Sequence, residues 1–224
     1  MKSTDWYRLM SEYGVQVEQP LPEEFEGGQL EALVDSEDST VQLALGTVYQ
    51  TGPGDIERDP MKSAIWFRRS ADQGNPMAQA LLARSYLKGN GVPLSYAEAY
   101  KWSKESSENG DRLGEFLFAM CLKEGYGVPS DSVLAYQKLQ KLANLGDPDS
   151  MVLLAVMLAT GEGVCQDRIE AYAWANVAAA IGSRDAAEAR DSIKAMLKRE
   201  ALVEAQKRSL EKFEHSRVAR GEYE

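Results

Sequence analysis

Several columns of residues recur along this chain at a single period. Gly-x-Gly occurs as Gly52-Pro53-Gly54, Gly89-Asn90-Gly91, Gly125-Tyr126-Gly127 and Gly161-Glu162-Gly163. The last three are 36 residues apart, and the first precedes the second by 37. A lone glycine follows each pair, at Gly74, Gly110, Gly146 and Gly182. Trp66, Trp102 and Trp174 form another column, with Lys138 in the remaining place, and Ser63, Ala99, Ala135 and Ala171 stand three residues earlier. Asp59, Ser95, Asp131 and Asp167 supply an N-cap type at the same period, and one inserted residue between Gly54 and Asp59 accounts for the longer first spacing. A segment of this length repeated four times is one supersecondary unit that buries its faces by stacking on the next copy.

One unit can be read in physical terms. Met77 to Leu87 predicts a first helix, with Ala78, Leu82, Ala83 and Tyr86 on one face. Gly89 and Gly91 end it, since a C-cap and a tight turn both need positive φ. Val92, like Val128 and Val164, is expected to plug the loop into the core. Ser95 caps a second helix carrying Ala99, Trp102 and Ser106, which Gly110 closes. Trp102 and Tyr86 are expected to be buried where the two helices meet. The expectation is an all-α solenoid of four helix–turn–helix repeats at about 39–76, 77–112, 113–148 and 149–186.

Leu82, Ala83, Tyr86, Gly89, Gly91, Val92, Ala99, Trp102 and Gly110 follow the pattern of the Sel-one-like repeat, and Leu45, Gly46, Tyr49, Gly52, Trp66, Ala71 and Gly74 do the same in the first copy. The chain therefore resembles that family, a branch of the tetratricopeptide-like α-solenoids. Leu122 and Leu158 in place of Tyr, and Lys138 in place of Trp, depart from the pattern. The resemblance implies a right-handed stack. It also implies that the first helix of each pair lines a concave, partner-binding face. The positions so implied are Leu43, Thr47 and Gln50; Ala80, Arg84 and Leu87; Phe116, Met120 and Lys123; and Val152, Val156 and Ala159. Among these, Leu87, Phe116, Met120, Val152 and Val156 would make an apolar strip.

The ends differ from the repeats. Residues 1–38 are expected to hold a short amphipathic helix (Trp6, Leu9, Met10, Tyr13), an acidic arm with Pro20 and Pro22, and a capping half-repeat at Leu30 to Val34. The arm, with Trp6, Tyr7, Leu9 and Met10, is an alternative occupant of the concave strip. From Ser183 the chain reads as a capping helix to about Glu214, with a break near Lys198. Its apolar stripe is Ile193, Met196, Leu197, Ala201, Ala205 and Leu210, and residues 215–224 read as a frayed tail.

The formal net charge is −10, and residues 1–40 hold ten acids against two bases. Such a chain repels phosphate backbones, which argues against a nucleic-acid partner, and would suit a basic protein. No stretch approaches the ~20 apolar residues of a membrane helix. The opening Met1-Lys2-Ser3-Thr4-Asp5-Trp6 has no apolar run, so a cytoplasmic location is expected unless a leader has been removed. Cys121 and Cys165, 44 residues apart, form neither a zinc pattern nor a disulfide framework and read as free thiols. His215 stands alone in a charged stretch, and the Gly-x-Gly pairs lack the Lys-Ser/Thr of a phosphate loop. No catalytic, cofactor or metal site is read. The resemblance implies an adaptor that holds a protein partner, with two alternatives: a bacterial immunity protein that neutralises a toxin, and a regulatory subunit of an enzyme.

Overall fold

The computed structural model describes residues 36–54 and 56–219. The expectations for residues 1–35, including the arm and the half-repeat, lie outside the described residues. Among the described residues there are ten α-helices and no strand. Eight have 13 residues each: α1 Ser39–Thr51, α2 Pro60–Asp72, α3 Pro76–Lys88, α4 Tyr96–Glu108, α5 Arg112–Glu124, α6 Ser132–Asn144, α7 Pro148–Thr160 and α8 Arg168–Ala180. Two more follow, α9 Arg184–Lys194 and α10 Arg199–Ala219. The chain divides into two compact units, with the division inside α5 between Leu117 and Phe118.

The repeating residues set the helix ends. Asp59, Ser95, Asp131 and Asp167 cap the second helices with their side chains. A matching column caps the first helices: Asp38, Asn75 and Asp147 accept from backbone N–H groups, and Asp111 Oδ1 accepts from Gly114 N at 2.7 Å. Each such cap contributes about 1 kcal/mol. Gly89 and Gly161 end α3 and α7 in the left-handed region, at φ 64° and 82°, and Gly125 follows α5 at φ 71°. In the second and fourth pairs the second glycine has a further reason to be glycine. A Cβ on Gly91 would overlap the Pro60 carbonyl at the start of α2, and one on Gly163 would overlap the Ser132 carbonyl at the start of α6. The loop thus rests on the backbone of the preceding repeat.

In the first unit α1 packs on α2, α2 on α3, and α3 on α4. Hydrogen bonds clasp the helix pairs at one end. Ser70 Oγ donates to the Ser39 carbonyl at 2.6 Å and Ser106 Oγ to the Pro76 carbonyl at 2.7 Å. Gln73 Nε2 donates to Gln42 Oε1, and Asn109 Nδ2 to Gln79 Oε1. Trp102 is 4% exposed, whereas Tyr86, expected to be buried, is half-buried. Arg68 explains the difference. Its guanidinium lies 5.5 Å from the Tyr86 ring and 5.1 Å from the Trp102 ring and donates to the Tyr86 hydroxyl, so that phenol stays at the edge where a cation can reach it. Size is traded between neighbours as well. Gly46 stands where other repeats have Ala83, Ala119 and Ala155, and a Cβ there would overlap the ring of the fully buried Phe67.

In the second unit α8 is the hub, packing on α7, α9 and α10. The polar clasp residues give way to buried apolar ones: Leu142 and Ala178 occupy the serine positions, and Met151 is fully buried where the first unit has Gln42 and Gln79. Lys212 of α10 places its Nζ 4.1 Å from the Trp174 ring and 2.5 Å from Glu170. The break expected near Lys198 spans 195–198. The helix runs on to Ala219, with Ser216 buried, so residues 215–219 are not a frayed tail. The stripe is also corrected. Ile193 and Ala205 are buried, but Met196 and Leu210 are 55% and 69% exposed. Met196 lies in the break itself, and on α10 Ser209 and Ser216 join Ala205 on the buried face in place of Leu210. Val92, Val128 and Val164 are half-buried and do not reach the core.

Candidate partner-binding surface

The twelve positions expected to meet a partner lie on α1, α3, α5 and α7, and burial separates them. Leu43, Thr47 and Ala80 are 2%, 2% and 0% exposed, so they belong to the core and correct the expectation of an open face. The reason is that α1 is buried without interruption from Gln42 to Val48, and α3 from Ala78 to Ala83. A helix covered on all sides has no free stripe over those turns. Thr47 satisfies its hydroxyl internally by donating to the Leu43 carbonyl at 3.0 Å.

The other nine keep some surface, Gln50 and Ala159 among them half-buried. In the first unit Arg84, Leu87 and Phe116 are half-buried. In the second, Met120, Lys123 and Val152 are half-buried and Val156 is 37% exposed. Larger exposed apolar side chains stand on second helices: Met61 and Ile65, one turn apart on α2, at 68% and 53%, and Val133 on α6 at 56%. The sequence carried a signal for the α2 pair, because the next repeat has Ala97 and Lys101 at those positions.

A cleft of about 430 Å³ opens in the first unit, lined by Gln50, Arg58, Arg84, Ser85, Lys88 and Asn90. Arg84 Nη2 donates to Gln50 Oε1 at 3.3 Å. Among the described residues no carboxylate pairs with Arg58, Arg84 or Lys88. The second unit shows the opposite arrangement. Lys123 Nζ lies 2.6 Å from Glu124 and 3.4 Å from Glu162. Burial opposes its charge, but the hydrogen bonds and attraction of these carboxylates outweigh it and hold the ammonium above its usual range. Asp149 titrates above the usual carboxylate range, through burial first and then the repulsion of Asp147 and Asp185.

A second cleft, of about 530 Å³, is lined by Trp174, Glu211, Lys212 and His215 among others. His215 is exposed, and its Nδ1–H donates to the Glu211 carbonyl at 2.7 Å, so the ring is oriented by its own helix. No hydroxyl or thiol is bonded to it among the described residues. Cys121 is buried and Cys165 exposed, and neither is in a disulfide. No cluster of metal-ligating side chains occurs among the described residues, and none of their helices is long and apolar enough to cross a membrane.

The chain matches no curated protein. Among solved structures, it is similar to a Sel1 repeat protein from Oxalobacter formigenes, with 24% identity and a TM-score of 0.65 over 82% of this chain and 74% of that one. It is also similar to a protective antigen present in uropathogenic Escherichia coli strains that displays an SLR fold. There the identity is 23% and the TM-score 0.55, over 97% of this chain and 54% of that one. At these identities the likeness shows the fold. The Sel1 repeat matches residues 39–75, 76–111, 112–147 and 148–183, the four helix pairs α1–α2, α3–α4, α5–α6 and α7–α8. Repeats of this kind generally mediate protein–protein interaction and are typically a non-catalytic scaffold. With four consecutive copies making up most of its length, the chain belongs to the Sel1 repeat family.

Proposed function

We propose that this protein is an adaptor that holds a protein partner on the exposed parts of its first helices. The observation that carries the reading is the family match itself, four consecutive Sel1 repeats over residues 39–183. The surface chemistry supports it. Each unit presents half-exposed apolar side chains beside a cation: Leu87 and Phe116 with Arg84 in the first, and Met120, Val152 and Val156 with Lys123 in the second. Apolar side chains beside polar ones suit a binding patch, and burying each would contribute about 1.5–3 kcal/mol. The test is retention of a partner from an extract of the native organism, identified by mass spectrometry, with Phe116→Asp and Val156→Asp as variants. At least one variant should lose the partner while its melting temperature stays within a few degrees of wild type. If both retain it at full strength, the first helices are not the binding surface.

A further inference from the structure

Three cations stand around one cleft in a chain whose net charge is −10. The repeat does not require them. The counterparts of Arg84 in the other copies are Thr47, Met120 and Val156. Those of Lys88 are Thr51, Glu124 and Thr160, and those of Arg58 are Leu94, Ser130 and Gln166. Every other copy builds the same helices with a neutral or acidic residue there. Like charges around one cleft repel, so the cluster costs stability unless something of opposite charge enters. Lys88 alone has a scaffold role, since it lies in the last turn of α3 and offsets the helix dipole.

The cleft offers mainly donors. Gln50 Oε1 is taken by Arg84, which leaves the Gln50 amide N–H groups free to donate. The Ser85 hydroxyl already donates to the Leu81 carbonyl at 3.0 Å, and Asn90 adds a second amide at the rim. In the second unit the matching positions hold Lys123, Ser130, Val156, Thr160 and Glu162, and its one cation is neutralised by Glu124 and Glu162. The first-unit cleft is thus the repeat position where positive charge has been left unbalanced.

We propose that this cleft binds an acidic peptide segment of the protein partner, with Arg58 and Arg84 taking its carboxylates and Lys88 supplying a third charge. A guanidinium presents a fork of N–H donors that matches a carboxylate. A volume of about 430 Å³ falls in the range of sites that hold more than one side chain. The whole-chain charge pointed to a basic partner. Charges beyond ~8–10 Å are largely screened at physiological salt, however, so the cations lining the cleft decide what enters it. The proposal rests on the protein-binding reading above and narrows it to the chemistry of one contact.

Fluorescence anisotropy on the full chain tests it, with a fluorescein-labelled octapeptide of alternating Glu and Ala and a Gln/Ala peptide as the uncharged control. The acidic peptide should bind and the control should not. Affinity should fall about tenfold in Arg58→Gln and in Arg84→Gln, and should weaken as salt rises. Lys104→Gln, at an exposed cation outside the cleft that pairs with Glu108, should bind as wild type does. The triple variant Arg58→Gln/Arg84→Gln/Lys88→Gln should keep its melting temperature and lose the peptide. No binding by folded wild type at low salt, or equal binding by the triple variant, overturns the proposal. So does displacement by inorganic phosphate at the peptide's own concentration, which would reduce the cleft to a simple anion site. Binding that appears only after Glu23, Glu24 and Glu26 are replaced by Gln would assign the cleft to this chain's own acids and also overturn it. The broader reading fails separately. A triple variant that retains the captured partner refutes the cleft alone, whereas a wild type that captures no partner refutes the adaptor.

Discussion

The two units solve the same packing problem with different chemistry. In the first, serine, glutamine and asparagine side chains clasp the helix pairs, and the cleft between first helices holds three cations without a carboxylate partner among the described residues. In the second, buried Leu142, Met151 and Ala178 stand at the equivalent positions, and Lys123 is neutralised by two glutamates. What both share is narrow: capped helix starts, left-handed glycines at first-helix ends, and a loop glycine resting on the previous repeat. The scaffold is fixed by those few columns. Everything between them can differ, and the places where one unit carries an uncompensated group are where function should be sought.

That comparison can be broken at several points. The largest effect is expected at the Trp column. Trp102→Ala should cost about 3–5 kcal/mol in urea unfolding, because a buried aromatic is lost and a cavity remains. Lys138→Ala, at the corresponding position of the second unit, should cost less than Trp102→Ala, since Lys138 is half-buried, with its ammonium 5.0 Å from the centre of the Phe118 ring, and no large buried aromatic is lost. Similar losses at both positions would mean that the two units pack this column alike, against the contrast drawn here between them. Next comes the loop glycine. Gly91→Ala should cost about 2–4 kcal/mol, combining a left-handed backbone at φ 76° with overlap on Pro60. Gly74→Ala should cost only about 1–2 kcal/mol, because φ is 86° but nothing lies within 4 Å of the added Cβ. If the two glycines cost the same, the loop does not rest on its neighbour and the shared scaffold is narrower still.

The legible part of the fold was whatever a single residue type encodes locally. Asp59, Ser95, Asp131 and Asp167 cap helices wherever they occur, and Gly89, Gly125 and Gly161 end them, so a period of 36 in those columns reads directly as helix boundaries. The reason for Gly91 was not legible, because it lies in the Pro60 backbone 31 residues away. Nor was the burial of Leu43, Thr47 and Ala80. One helix shows which positions share a face but not how many faces its neighbours cover. Leu210 failed for a different reason, since it stands five residues from Ala205 on α10, about 140° around the helix, and one buried stripe does not hold both. The cationic cleft was present in the sequence only as departures from the columns at Arg58, Arg84 and Lys88, and it takes shape where the end of α1, the loop before α2 and the end of α3 meet in one unit.

The central claim is that the first unit's cleft, and not its counterpart in the second, is the charged part of the binding surface. The most direct test is a two-dimensional ¹H–¹⁵N NMR titration of the full chain with the acidic Glu/Ala peptide. The backbone signals of Gln50, Arg58, Arg84, Lys88 and Asn90 should move together and saturate on one curve. Those of Lys123, Ser130, Val156, Thr160 and Glu162 should stay in place. Movement centred on the second set, or of equal size in both, would contradict the account.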